Sequence, residues 1–236
     1  MALPKIAVPT FKLILPSNKK EISFRSLLVK EEKILLMAVE AGDELSMITA
    51  VKDVCAACIV SEKIDTNKLP YFDLEYIFLN IRAKSIGEVI SLEYRHTDGV
   101  NYKGEPCDQV TKIDLNLEKV NITILPEHTA KIKIDDSMFV EMSYPTIETI
   151  RQATESTNQL ELIARSLKCV YVGDSVHDPD NLQDSIEFLE SLNSNQFENI
   201  SKFFETMPKL RHELNYKCEK CGQEDTIKLE GLTDFF

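Results

Sequence analysis

"LRHELNYKCEKCGQEDTIKLEGLTDFF", residues 210–236, is the stretch that decides how the chain reads. Cys218 and Cys221 stand three apart with Gly222 directly after, and the short runs "RHELNYK" and "TIKLEG" flank them as strands would. Two thiolates at that spacing, on a tight turn between strands, make one half of a zinc ribbon. A structural zinc ion takes four ligands, so the other half has to come from elsewhere in the chain.

The candidates are Cys55, Cys58, Cys107, Cys169, His96, His128, His177 and His212. Cys55 and Cys58 repeat the C-x-x-C spacing, but they lie in "VKDVCAACIV", an apolar helical stretch without the turn chemistry of a knuckle, and read as small buried thiols. His96 and Cys107 bracket "HTDGVNYKGEPC", a loop rich in Gly, Pro, Asp and Asn between two expected strands. If that loop packs on the C-terminal hairpin, His96, Cys107, Cys218 and Cys221 complete a Cys3His set around one zinc ion. Two alternatives stay open: a site that uses His212, six residues before Cys218, and a knuckle that binds no metal. A site filled by four protein ligands has no open position for water and serves folding, not chemistry.

Further from the hairpin, the pattern alternates between the two structural periods. Residues 11–28 show alternating apolar runs around Pro16-Ser17-Asn18-Lys19, which predicts a hairpin. Lys30–Ala41 predicts a helix with Ile34, Leu35, Ala38 and Val39 on one stripe, stopped by Gly42. A second helix is expected from about Asp43 through "ELSMITAVKDVCAACIV", and a third from a capping-like Asp73 to about Ala83. Period 2 then takes over in "EVISLEY", "QVTKIDLN", "NITIL", "TAKIKI" and "MFVEMSY", which predicts an antiparallel sheet region over 88–144. After Pro145, "TIETIRQATES", "QLELIARSLKCVYV", "LQDSIEFLESL" and "NQFENISKFFETM" predict helices, with "VGDSVHD" a turn.

The fold class expected is therefore α+β in one domain over 1–236: hairpin and helices over 1–87, an antiparallel β region over 88–144, helices over 145–208, and a ribbon-like hairpin over 209–236 packing on the β region.

Composition narrows the function. A hydrophobic fraction of 43% supports a core, and six cysteines in 236 residues are too sparse for a disulfide scaffold, so reduced thiols or metal ligands are expected. No window approaches the roughly 18 apolar residues of a membrane span, and the chain reads as soluble and unprocessed. A formal charge of −12 argues against a dedicated nucleic-acid binder. From Glu148 to Glu205 eleven acidic side chains face four basic ones, a balance of 4 − 11 = −7, which suits a solvated acidic face or a surface for a basic partner. The adjacent pairs Glu31-Glu32 and Asp135-Asp136 do not make a carboxylate dyad, and no Ser-His-Asp or G-x-S-x-G pattern stands out, so no catalytic residue is assigned.

Four stretches carry a resemblance: "FKLILPSNKKEISFRSLLVKEEKILLMA", "LPYFDLEYIFLNIRAKSIGE", "MSYPT" at 142–146 and "YKCEKCGQEDTIKLEGLTDFF". In order and spacing they resemble the baseplate hub family of T-even-type contractile-tailed phages. That resemblance implies a non-enzymatic structural or assembly component of the hub, with other hub proteins as partners, at work in the host cytoplasm during assembly and in the tail baseplate. It also implies cysteines in the loop from 96 to 107, where this chain has His96 at the first position. A zinc-ribbon accessory subunit of another complex and an unrecognised hydrolase are the rival readings. The terminal Phe235 and Phe236 are expected either in the protein's own core or in a partner's pocket.

Overall fold

The computed structural model describes residues 7–61, 64–96, 107–156 and 159–235. Its elements mix seven α-helices with four small antiparallel sheets among these residues.

The chain opens with the expected hairpin, β1 (Thr10–Ile14) against β2 (Glu21–Arg25). Alternation puts Leu13, Ile22 and Phe24 inside, with charged side chains outside. The hairpin turn is pinned from within: Ser17 donates from its backbone N–H (3.1 Å) and from its hydroxyl to the two carboxylate oxygens of Asp73. Asp73 is therefore not the cap of the third helix. That helix, α3 (Tyr71–Ile86), starts after Pro70, and Asp73 is fully buried beneath the hairpin.

Helix α1 (Val29–Ala41) ends at Gly42, whose left-handed φ of 71° suits a residue without a Cβ. Its expected apolar stripe is only partly used. Ala38 is buried and Leu35 half-buried, whereas Ile34 and Val39 are exposed. The other buried position on α1 is Glu31, held by the Arg25 guanidinium at 3.0 Å and by the Leu28 N–H at 2.8 Å. Helix α2 (Glu44–Cys58) is capped by Asp43, whose carboxylate accepts from Ser46 N–H, and it buries Val51, Val54, Cys55 and Cys58. Helix α3 is buried on most of its circumference, and Leu74, Ile77, Phe78, Leu79 and Ile81 are at most 1% exposed. It is the centre of the larger core, with the hairpin and α2 packed against it.

The expected β region over 88–144 does not form one sheet. β3 (Val89–His96) and β4 (Gln109–Asn116) make a ribbon of their own. β5 (Asn121–Thr123) joins the C-terminal strands β10 (Lys209–Lys217) and β11 (Glu224–Glu230) in the order β11-β10-β5. β6 (Lys131–Lys133) and β7 (Met138–Met142) belong to a third sheet, β6-β7-β8-β9. Its other strands, β8 (Leu167–Val172) and β9 (Ser175–His177), fall where helix and turn were expected. "LKCVYV" follows helix α5 (Gln159–Ser166) without a break, and it becomes a strand because β7 offers it a ladder. β-branched valines fit that half-buried surface better than a helix interior.

Helices α4 (Ile147–Ser156), α6 (Leu182–Glu190) and α7 (Ser194–Thr206) lie close to their expected positions. α5, α6 and α7 cover the four-stranded sheet and make a second core with Val140, Met142, Ile163, Leu189, Ile200 and Phe203. The two cores meet where Phe72 stacks edge-on against Tyr144 (5.1 Å) and Tyr71 N–H donates to Pro145 carbonyl at 2.9 Å. Phe235 is 1% exposed in the larger core, whereas Phe236 lies outside the described residues.

Candidate metal centre

The β10–β11 ribbon carries the thiol pair at its turn. Seven residue pairs from Arg211↔Glu230 to Lys217↔Glu224 bring the strands to Cys218. Cys218 N–H donates to Gln223 carbonyl and Gly222 N–H donates to Cys218 carbonyl, each at 2.8 Å. Gly222 has a φ of 75°, so the return needs a residue free to be left-handed. This closes Cys218-Glu-Lys-Cys221 into a turn with both sulfurs on one side.

The third sulfur comes from far away in the chain. Cys107 precedes β4 and packs its Sγ 3.7 Å from Cys218 Sγ, across a sequence separation of 111. The sulfurs of Cys107, Cys218 and Cys221 all lie within 4.8 Å of one another. Among the described residues this is the one group of three or more His, Cys, Asp or Glu ligand atoms close enough to share an ion. Thiolates about 2.3 Å from a tetrahedral ion stand about 3.8 Å apart, so the spacing fits such an ion.

The surroundings are apolar. Cys107 and Cys218 are fully buried and Cys221 is half-buried, with Tyr94, Ile113, Tyr216 and Ile227 packed around them. Tyr94 and Tyr216 meet edge to face at 5.3 Å, joining the two ribbons beside the sulfurs. Burial, then the neighbouring Cys218 and Cys221 thiols, push the Cys107 thiol up from its ordinary range. Burial also pushes the Tyr216 hydroxyl up to about 12. A cation among the three sulfurs would offset the charge that thiolates packed this closely share.

His96 ends β3 opposite Gln109, two residues after Cys107; its side chain lies outside the described residues, as does the loop from 97 to 106. His212 is not with the sulfurs. It pairs with Leu229 in the ribbon, and six residues at about 3.3 Å each put it roughly 20 Å from Cys218. Cys55 and Cys58 are fully buried in α2, where Cys55 Sγ lies 3.7 Å from Leu74 carbonyl and Arg25 reaches Cys58 Sγ at 3.6 Å. Cys169 faces Glu141 on the four-stranded sheet. Both nitrogens of His128 are engaged at 3.0 Å, by Thr206 and Tyr144 hydroxyls, and His177 sits on exposed β9.

A buried acid escaped the sequence reading. Glu75 on α3 is 5% exposed, and burial pushes its carboxyl up to about 7. Its sequence signal is a second acidic residue, after Asp73, inside the otherwise apolar run "FDLEYIFL".

A family model described as T4 bacteriophage base plate protein matches residues 8–236. The chain belongs to that family. The match takes in both cores, both ribbons and all three clustered cysteines of this baseplate protein. Membership implies a structural place in the phage tail baseplate, with other baseplate proteins as its partners. No curated protein and no solved structure matches the chain. Among the described residues of the baseplate protein, no helix is long and apolar enough to cross a membrane.

Proposed function

We propose that this baseplate protein is a non-enzymatic component of the baseplate hub, acting through contacts with other hub proteins during assembly in the host cytoplasm. The family match over nearly the whole chain carries the reading. The surface supports it in two ways. Helix α1 leaves Val29, Leu36 and Met37 between 60% and 79% exposed, the kind of apolar surface that an assembled particle covers. On the other core, Asp174, Asp178, Asp180, Asp184, Glu187 and Glu190 are all exposed, with no Lys or Arg between 174 and 190. An acidic face of this kind steers a basic partner before short-range contacts form.

A zinc-ribbon accessory subunit of an unrelated complex would share the thiol cluster, but neither that reading nor a hydrolase accounts for the family match. Mass spectrometry of purified virions beside infected-cell extracts, combined with affinity capture on the tagged chain, tests the proposal. Hub proteins are expected among the captured partners. Detection in virions marks a lasting component, and detection in extracts alone marks an assembly factor. Capture of other baseplate proteins without any hub protein would place the chain elsewhere in the baseplate.

A further inference from the structure

We propose that Cys107, Cys218 and Cys221 hold a structural zinc ion that fastens the β3–β4 ribbon to the β10–β11 ribbon. The inference is independent of where in the baseplate the chain sits. It starts from a gap in the hydrogen bonding. β3 and β4 pair only with each other, while β10 pairs with β11 and β5, so among the described residues no ladder joins the two ribbons. What joins them at this end is side chains: the Tyr94–Tyr216 contact, Ile113 and Ile227, and the three sulfurs. The β3–β4 ribbon is anchored in the larger core at its other end through Ile90, Leu92 and Leu115, so its cysteine end is the part that gains most from a further constraint.

The sulfurs suit a metal better than a disulfide. A disulfide would take two of the three and leave the last thiol without a role beside it, with an S–S bond of about 2.05 Å. The observed 3.7 Å between Cys107 and Cys218 is close to the edge of a thiolate tetrahedron, and Cys221 completes a face of it. As the ion binds, each thiol gives its proton to solvent and forms a metal–sulfur bond, with no change of oxidation state. Soft thiolates select zinc among redox-silent ions, and the apolar shell of Tyr94, Ile113 and Ile227 screens the bonds from water.

The full chain, expressed with zinc and purified under reducing conditions without chelator, should carry about one zinc per chain by elemental analysis. Cobalt(II) substituted for zinc should show thiolate-to-metal charge transfer together with tetrahedral visible bands. Cys107→Ser and Cys221→Ser should each bind at least about ten-fold more weakly. Cys221 is half-buried, so its serine variant gives a reading even if Cys107→Ser fails to fold. Amide exchange supplies the second readout: chelation should speed exchange in Val89–His96 while Leu74–Ile81 stays protected. Wild-type protein without zinc, copper or iron in its place, full zinc affinity in Cys221→Ser, or unchanged exchange on chelation would overturn the proposal.

Discussion

The backbone N–H of Leu232 donates to Oε1 of Glu75 at 3.0 Å, tying the last turn of the chain to a buried carboxylate on α3, 157 positions earlier. This bond brings Leu232 and Phe235 into the larger core. The carboxylate is costly there, since burial raises its pKa from 4.5 to about 7. A raised carboxyl pKa means that the folded state keeps a proton which the unfolded chain has lost. Its contribution to stability is fully present below about pH 4.5 and is lost as pH rises through about 7.

Glu75→Gln keeps an oxygen acceptor for Leu232 N–H and stays neutral. The variant should be more stable than wild type at pH 8 by roughly 2–3 kcal/mol, with the difference vanishing near pH 4. Urea unfolding of both proteins across that range checks it. An equal difference at every pH would show that charge burial at Glu75 is not its source.

Phe235 is buried in the larger core, so Phe235→Ala should cost about 3–5 kcal/mol. The melting temperature of the free chain is the measurement. Wild-type melting combined with failed assembly would move this side chain to a partner's pocket.

The acidic face predicts a salt-dependent effect. Asp184 is a poor choice for reversal, because it helps build the start of α6 through Asn181 Nδ2 and Asp180 N–H. Glu187 and Glu190 are exposed further along that helix. Their joint replacement by Lys should leave the unfolding free energy within about 0.5 kcal/mol of wild type and weaken capture of baseplate partners at low salt. Equal capture at all ionic strengths would leave these carboxylates as solvated surface alone.

His96→Ala separates the fourth ligand from the thiols. Zinc affinity measured against a competing chelator should fall by roughly ten-fold or more if the histidine completes the tetrahedron. Unchanged affinity would remove His96 from the set and leave the three thiolates in place.

Much of the hairpin, α2 and the terminal ribbon was legible in the residues, because each is specified over a few positions. Pro16 to Lys19 marks the β1–β2 turn, Asp43 caps α2, and Gly222 closes the thiol turn. The knuckle was equally local, two cysteines and a glycine between alternating runs. Cys107 could be named as a candidate by its loop, but its approach to Cys218 could not be measured.

What the sequence by itself determined was the period of each segment and the chemistry available at its ends, since these follow from neighbours one to four residues away. Tertiary structure alone decided which segments became partners. It drew β5 to β10, made a strand of Leu167–Val172 beside β7, and placed Asp73 under Ser17 and Glu75 against Leu232. The physical reason is that a strand's ladder and a buried carboxylate's donor are supplied from tens to more than a hundred residues away. Burial of the two cores selects those pairings, and no local spacing encodes them.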